Sequence, residues 1–309
     1  MVWSINDLVG YSAYRDEEVE SEARLLNPTQ PTAAGRWLAV ARDVLDRVAS
    51  TQAENIEKAA ELFAATIASD GLVHVFGSGH SRMNTEEMFP RIGSFPGFHP
   101  IAELSLSNHV GVVGPNGLRQ ALFVERVEGY GRVLLQQIKL HHGDSFLVFS
   151  NTGVNAVVVD VALYARTIGL PVVAVTSVDH ESATESRHSS GCTLVDVADI
   201  VIDNGSPVGD AVVEIDGIPH RIGPTSSIGA IAVVNALKAA TAERLVGKGV
   251  TPVVLTSPNL AHNNGGEDQL ERVYEEYFRR VKRVYDSDGA LDIPEIYEVP
   301  DRVRGPSSR

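Results

Sequence analysis

One cysteine, Cys192, stands among 309 residues, with three methionines and two tryptophans. A lone thiol excludes any disulfide within the chain and fits a reducing compartment. No activating pattern surrounds Cys192, so a nucleophilic role for it is not expected. Positive charge is also short: 26 Lys plus Arg face 40 Asp plus Glu, a net charge of −14. Such a surface repels nucleic acid and anionic membranes, so an anionic ligand must be captured by a local site. No apolar stretch approaches the ~20 residues that span a bilayer. The opening "MVWSINDLVGYSAYRDEEVE" is acidic and lacks the basic segment and apolar run of a signal peptide. These absences predict a cytoplasmic protein with neither a nucleic acid nor a membrane partner.

Apolar residues make up 43% and charged residues 21%, a balance that supports a core of normal size. Residues 1–35 read as an extension, closed by the linker-like "NPTQPTAAG" (27–35). The main domain is expected over 36–285, followed by a loosely ordered tail, 286–309. From Arg36, apolar residues recur every three or four positions (Leu38, Ala41, Leu45, Val48, then Ile56, Ala59, Phe63, Ile67). That spacing predicts a long amphipathic helix, broken or bent near Thr51.

Short β-branched runs follow: "LVHVFG" (72–77), "SFLVFS" (145–150), "PVVAVTS" (171–177), "ADIVIDN" (198–204) and "PVVLTS" (252–257), with "GFHPI" (97–101) as a further candidate. Most are continuously apolar, the mark of strands covered on both faces. Helical segments over 154–168, 228–245 and 269–285 separate or follow them. Alternating strands and helices predict an α/β fold with a doubly wound parallel sheet.

In such sheets ligands sit beyond the carboxyl ends of the strands. The first strand runs into "GSGHS": Gly77, Ser78, Gly79, His80 and Ser81. Glycines let an anion approach the backbone, the following helix start offers free N–H groups, and Ser78, His80 and Ser81 add side-chain donors. The dinucleotide fingerprint fails at its sixth position, where Arg82 stands, and a P-loop would need a lysine followed by serine or threonine. Alone, the loop is a weak signal, with a plain strand–helix turn as the alternative. A second strand end, "SNTGVN" (150–155), brings Ser150, Asn151, Thr152 and Asn155 around Gly153. Two such loops without a basic residue suit one phosphate held by neutral donors and helix dipoles.

These motifs resemble the SIS (sugar isomerase) domain, a family that binds phosphosugars on a five-stranded parallel sheet. Its first loop, G-x-G-x-S, is matched by Gly77, Gly79 and Ser81. Its second, S-x-S-G-x-T, is matched by Ser150, Thr152, Gly153 and Asn155, with threonine and asparagine as hydrogen-bonding replacements. The resemblance covers about 36–285 and implies a three-layer sandwich of the flavodoxin/Rossmann type. "ERVEGYG" (125–131), "SRHSSG" (186–191), "ADIVIDNGSPVGDA" (198–211) and "GPTSSIGA" (223–230) look like one SIS subfamily. The last is also similar to the matching helix of N-acetylmuramic acid 6-phosphate etherase.

The resemblance implies an enzyme that removes a proton beside a carbonyl, for which a carboxylate or histidine of near-neutral pKa is suited. Glu86 and Glu87 follow the first loop; lying ~100° apart on a helix, at most one faces the site. His188, on a loop of small polar residues, is the third catalytic candidate, and Thr225 is expected to cap a helix and touch the sugar. Asp203, Asn204 and Asp210 have no closed metal-site spacing, so neither metal nor cofactor is expected.

The expected reaction is elimination from an N-acetylhexosamine 6-phosphate, a lyase of dehydratase or etherase type. Aldose–ketose isomerisation is the alternative, and a non-catalytic phosphosugar sensor a third reading. A homodimer or homotetramer is implied by the resemblance.

Overall fold

The apolar runs assemble into one parallel sheet because each strand has hydrophobic cover on both faces. The computed structural model describes residues 31–107, 117–257 and 266–301. Strands are β1 (Val73–Gly77), β2 (Phe98–Ile101), β3 (Leu140–His141), β4 (Ser145–Phe149), β5 (Val172–Thr176), β6 (Ile200–Asp203), β7 (Ala211–Val213), β8 (Ile222–Pro224) and β9 (Ala290–Leu291). The sheet holds five of them in the order β2-β1-β4-β5-β6. Helices are α1 (Ala33–Thr51), α2 (Ala53–Ala68), α3 (Met83–Met88), α4 (Leu104–Ser107), α5 (Leu118–Val124) and α6 (Tyr130–Leu135). They continue as α7 (Ala156–Thr167), α8 (Val178–Ser182), α9 (Leu194–Val197), α10 (Ser226–Gly247) and α11 (Gly266–Val281). None of the described helices is long and apolar enough to cross a membrane.

Alternation along the strands divides the core into two layers. Val73, Val75, Leu147, Phe149, Val173 and Val175 pack with Phe63 of α2 and Val233 and Leu237 of α10. Phe76, Phe146, Val148, Val172 and Ala174 pack with α7 on the other face. All residues of α7 from Ala156 to Ala165 are buried, as expected for a helix apolar on every side.

The helix expected from Arg36 is two helices. Gln52 breaks them apart, and its Oε1 accepts the Asp203 N–H at 3.0 Å. The run 252–257 is not a strand, a correction to the sequence reading. Val253 and Leu255 pack against the α2/α10 core, while the backbone of Leu255 pairs with Gly93 and Ser94, each at 2.8 Å. A continuously apolar run signals burial but not which surface buries it. Residues 286–301, expected to be loose, lie against the domain: β9 pairs antiparallel with β3, and Tyr297 packs on Tyr164 with ring centroids 5.6 Å apart.

At the edge of the sheet away from the strand ends, His74 and His99 are partners in register. Their Nδ1 atoms are 3.0 Å apart, and His74 Nε2 is 3.3 Å from Asp144 Oδ2. Asp144 also accepts the Leu72 and His141 N–H groups at 2.9 and 2.8 Å. With Asp144 as acceptor, His74 donates from Nε2, and the two facing Nδ1 atoms share one hydrogen bond. Burial, with His74 adding to it and Asp144 opposing, lowers the His99 pKa from 6.5 to about 3. The unfolded chain takes up this proton first, so stability falls as pH drops from 6.5 toward 3, by up to about 1.4 kcal/mol per unit. Urea midpoints at pH 7 and pH 5 measure the loss, and His99→Gln is expected to remove most of it; an equal slope in that variant excludes His99 as the source.

Candidate active site

The two glycine loops stand side by side at the carboxyl ends of β1 and β4, which are hydrogen-bonded neighbours. The chain after β1 folds back so tightly that a Cβ on Gly77 would lie 2.7 Å from the Ser81 carbonyl oxygen. Ser81 N–H then donates to Ser78 O at 3.1 Å, closing the turn that leads into α3. After β4, the Ser150 hydroxyl accepts the Gly153 N–H at 3.1 Å. Gly153 takes φ 65°, and Asn155 precedes the first residue of α7 in extended conformation. The loop is braced toward β6: Asn151 Oδ1 accepts from Asn204 Nδ2 at 2.9 Å and from Ser206 Oγ at 3.0 Å.

Between these loops lies a cavity of about 340 Å³. Ser78, Gly79, His80, Ser81, Ser150, Asn151, Thr152 and Asn155 all line it, so the structure brings together the residues expected from both loops. Asn204, Asp210, Ser226 and Ser227 close it from the β6 side, and Leu118, Ala121 and Leu122 of α5 form an apolar wall. Among the described residues no lysine or arginine lines it, so an anion there would meet neutral donors and the start of α7. Also among the described residues, no group of three or more His, Cys, Asp or Glu is arranged to hold a metal ion.

Five expected residues stand elsewhere. Gly77 lies behind the lining as the hinge of its loop. Thr225 is buried beneath the mouth, its N–H donating to Asp210 Oδ1 at 2.8 Å; Ser226 and Ser227 line the cavity in its place. Glu86 points to solvent and pairs with Arg82 at 2.7 Å. Glu87 faces α10, where Lys238 Nζ is 3.7 Å away, and also pairs with Arg91 at 3.3 Å. His188 is buried against Asp160 of α7, with Nε2 to Oδ1 at 3.0 Å. None of the three residues expected to do acid–base chemistry lines the cavity. Asp203 is taken up by Arg47 at 3.0 Å and the Gly205 N–H at 3.1 Å.

Two titratable groups that the sequence reading missed do line it: Glu125 and His180. Glu125 closes the C-terminal end of α5, with Oε2 3.5 Å from the Ser78 hydroxyl. Burial pushes its pKa above the ordinary carboxylate value, against the pull of Arg126 and Arg187 and of hydrogen bonds from Ser78 and Asn155. His180 follows β5 on α8. Its Nδ1 accepts the Gly209 N–H at 3.2 Å, which leaves the proton of the neutral ring on Nε2. Glu125 lies beside the loop that follows β1, and His180 stands on the helix that follows β5. Inspection of the residues straight after "PVVAVTS" finds His180. Glu125 had only its place in "ERVEGYG" to mark it.

Residues 36–177 match the SIS domain. UPF0309 protein SCO4393 of Streptomyces coelicolor is 37% identical over 252 residues, spanning 80% of this chain and 96% of that one. The chain belongs to the UPF0309 family of SIS-domain proteins. UPF0309 protein TTE0306 of Caldanaerobacter subterraneus agrees, at 35% identity over 243 residues and 78% and 95% coverage. Among solved structures, a phosphoheptose isomerase from Francisella tularensis is similar over 67% of this chain and 95% of its own, at 14% identity and a TM-score of 0.43. That likeness is too low to carry an argument about reaction. Membership of the SIS domain supports a phosphosugar-related function for this UPF0309 chain.

Proposed function

We propose that the cavity binds an amino-sugar 6-phosphate and that Glu125 removes the proton from carbon 2 of its open-chain aldehyde. The observation that carries this is the position of Glu125: a half-buried carboxyl on the cavity wall, beside the first glycine loop, with its pKa moved toward the range of a useful base. Ser81, Ser150, Thr152 and Asn155 hold the phosphate in this reading, with the start of α7 adding its dipole.

The C2–H electron pair moves into an enolate whose charge rests on the carbonyl oxygen. The enolate collapses to a C2–C3 double bond and expels the group on carbon 3. Glu125 passes the proton it took from carbon 2 to the leaving oxygen, while His180 donates a hydrogen bond to that oxygen from Nε2, so both groups end as they began. Loss of water makes a dehydratase; loss of lactate, an etherase. Isomerisation shares the first step and returns the proton to carbon 1. It is favoured by one observation: Glu125 is the cavity carboxyl that burial drives upward, and one carboxyl suffices to carry a proton between adjacent carbons.

Hexose and hexosamine 6-phosphates, N-acetylated and free, incubated in heavy water and followed by NMR, test the reading. Deuterium at carbon 2 with an unsaturated product is the expected result. A ketose product replaces elimination with isomerisation. Saturable binding without exchange on any ligand leaves a sensor and overturns both enzyme readings.

A further inference from the structure

Glu125 is held in place by a buried network outside the cavity. Its carbonyl oxygen accepts the Val157 N–H at 3.1 Å, in the first turn of α7. One helical turn on, Asp160 is fully buried. Its Oδ2 accepts the N–H groups of Gly129 at 2.6 Å and Gly131 at 3.2 Å, at the far end of the turn that begins with Glu125. A Cβ on Gly131 would collide with the Asp160 Cβ, so no other residue lets the turn come this close. The start of α7 therefore grips the turn at both ends.

His188 fixes the other side of Asp160. The Ser190 N–H donates to His188 Nδ1 at 3.1 Å, so the ring's proton is on Nε2 and points to Asp160 Oδ1. Glu128, in the same turn as Glu125, accepts the Ser189 N–H at 2.9 Å. Tyr297, from the C-terminal segment, lies across the network with its ring centroid 5.1 Å from that of His188. Its hydroxyl is 3.4 Å from Glu128 Oε1.

We infer that Asp160, His188 and Tyr297 are positioning residues for Glu125: α7 and the C-terminal segment together set where the base points. The inference rests on the reading of Glu125 given above. It gives "SRHSSG" and "ERVEGYG" a common purpose, since each motif supplies one half of the network. It also makes residues 286–301 part of the working site.

Asp160→Asn and Tyr297→Ala test it, with Glu125→Gln beside them. Tyr297 lies at the rim of the network, so its truncation remains informative if Asp160→Asn fails to fold. Both variants are expected to lose about 10-fold or more in kcat with KM nearly unchanged, since a base displaced by a fraction of an ångström loses rate before the ligand loses affinity. The acid limb of kcat/KM should also move toward the ordinary carboxylate value as water reaches Glu125. Carbon NMR titration of the Glu125 carboxyl reads the same shift without turnover. A kcat and a Glu125 titration equal to the parent's in a folded variant overturn the positioning role. Parental turnover in Glu125→Gln overturns the base itself.

Discussion

Glu125→Gln is expected to lower turnover by about 10²–10⁴-fold while the chain stays folded and holds sugar phosphate within a few-fold of the parent affinity. The amide keeps the shape of the side chain and its hydrogen bond with Ser78, but it takes no proton from carbon 2. The stability of this variant separates a base from a structural carboxyl. Burial raises the Glu125 pKa in the folded chain, so the folded state binds that proton more tightly than the unfolded state. Stability from the group is complete below the unfolded value of 4.5 and is lost as pH rises through the folded value. At neutral pH the carboxylate is therefore a cost that glutamine removes. Urea midpoints should show the variant level with or above the parent at pH 7, with the gap closing toward pH 4.5. A variant that turns over normally, or one destabilised at neutral pH only, contradicts the assignment.

Gly153→Ala has the largest expected effect on the fold around the second loop. Gly153 has φ 65°, a conformation that costs a side-chain-bearing residue about 1–2 kcal/mol. The added Cβ meets the Glu181 carboxyl at Oε2 and would displace it. Glu181 has little freedom to yield, because it accepts the Thr176 hydroxyl at 2.9 Å and the Val195 N–H at 2.8 Å in a buried site. Backbone strain and the lost hydrogen bonds together predict a loss of about 2–4 kcal/mol and weaker sugar phosphate binding, since Ser150, Thr152 and Asn155 move with the loop. Chemical denaturation of a double-mutant cycle with Glu181→Ala checks the cause: removing the carboxyl should recover the steric part and leave the backbone part. Equal losses in both backgrounds rule out the clash as the mechanism.

Residues 72–77 and 145–150 were legible as buried parallel strands because their apolar runs and glycine loops are local features. The two glycine loops that line the cavity were legible for the same reason, since their residues stand within a few positions of each glycine. Which carboxyl and which α8 histidine line the cavity was not. Glu86 and Glu87 were chosen for closeness along the chain, yet α3 turns them toward Arg82, Arg91 and α10. His188 was chosen as a polar loop histidine, and a buried carboxylate on α7 claims it instead.

By itself, then, the sequence determined the parallel α/β sheet and the two glycine loops with their neutral polar side chains, since each depends on spacing within one short segment. Tertiary structure decided which carboxyl and which histidine share the cavity. Glu125 reaches it through Val157 and Asp160 of α7, and His180 is turned by the Gly209 N–H. Those contacts join residues far apart in the chain, where the side-chain period of a single helix or strand carries no information about the partner.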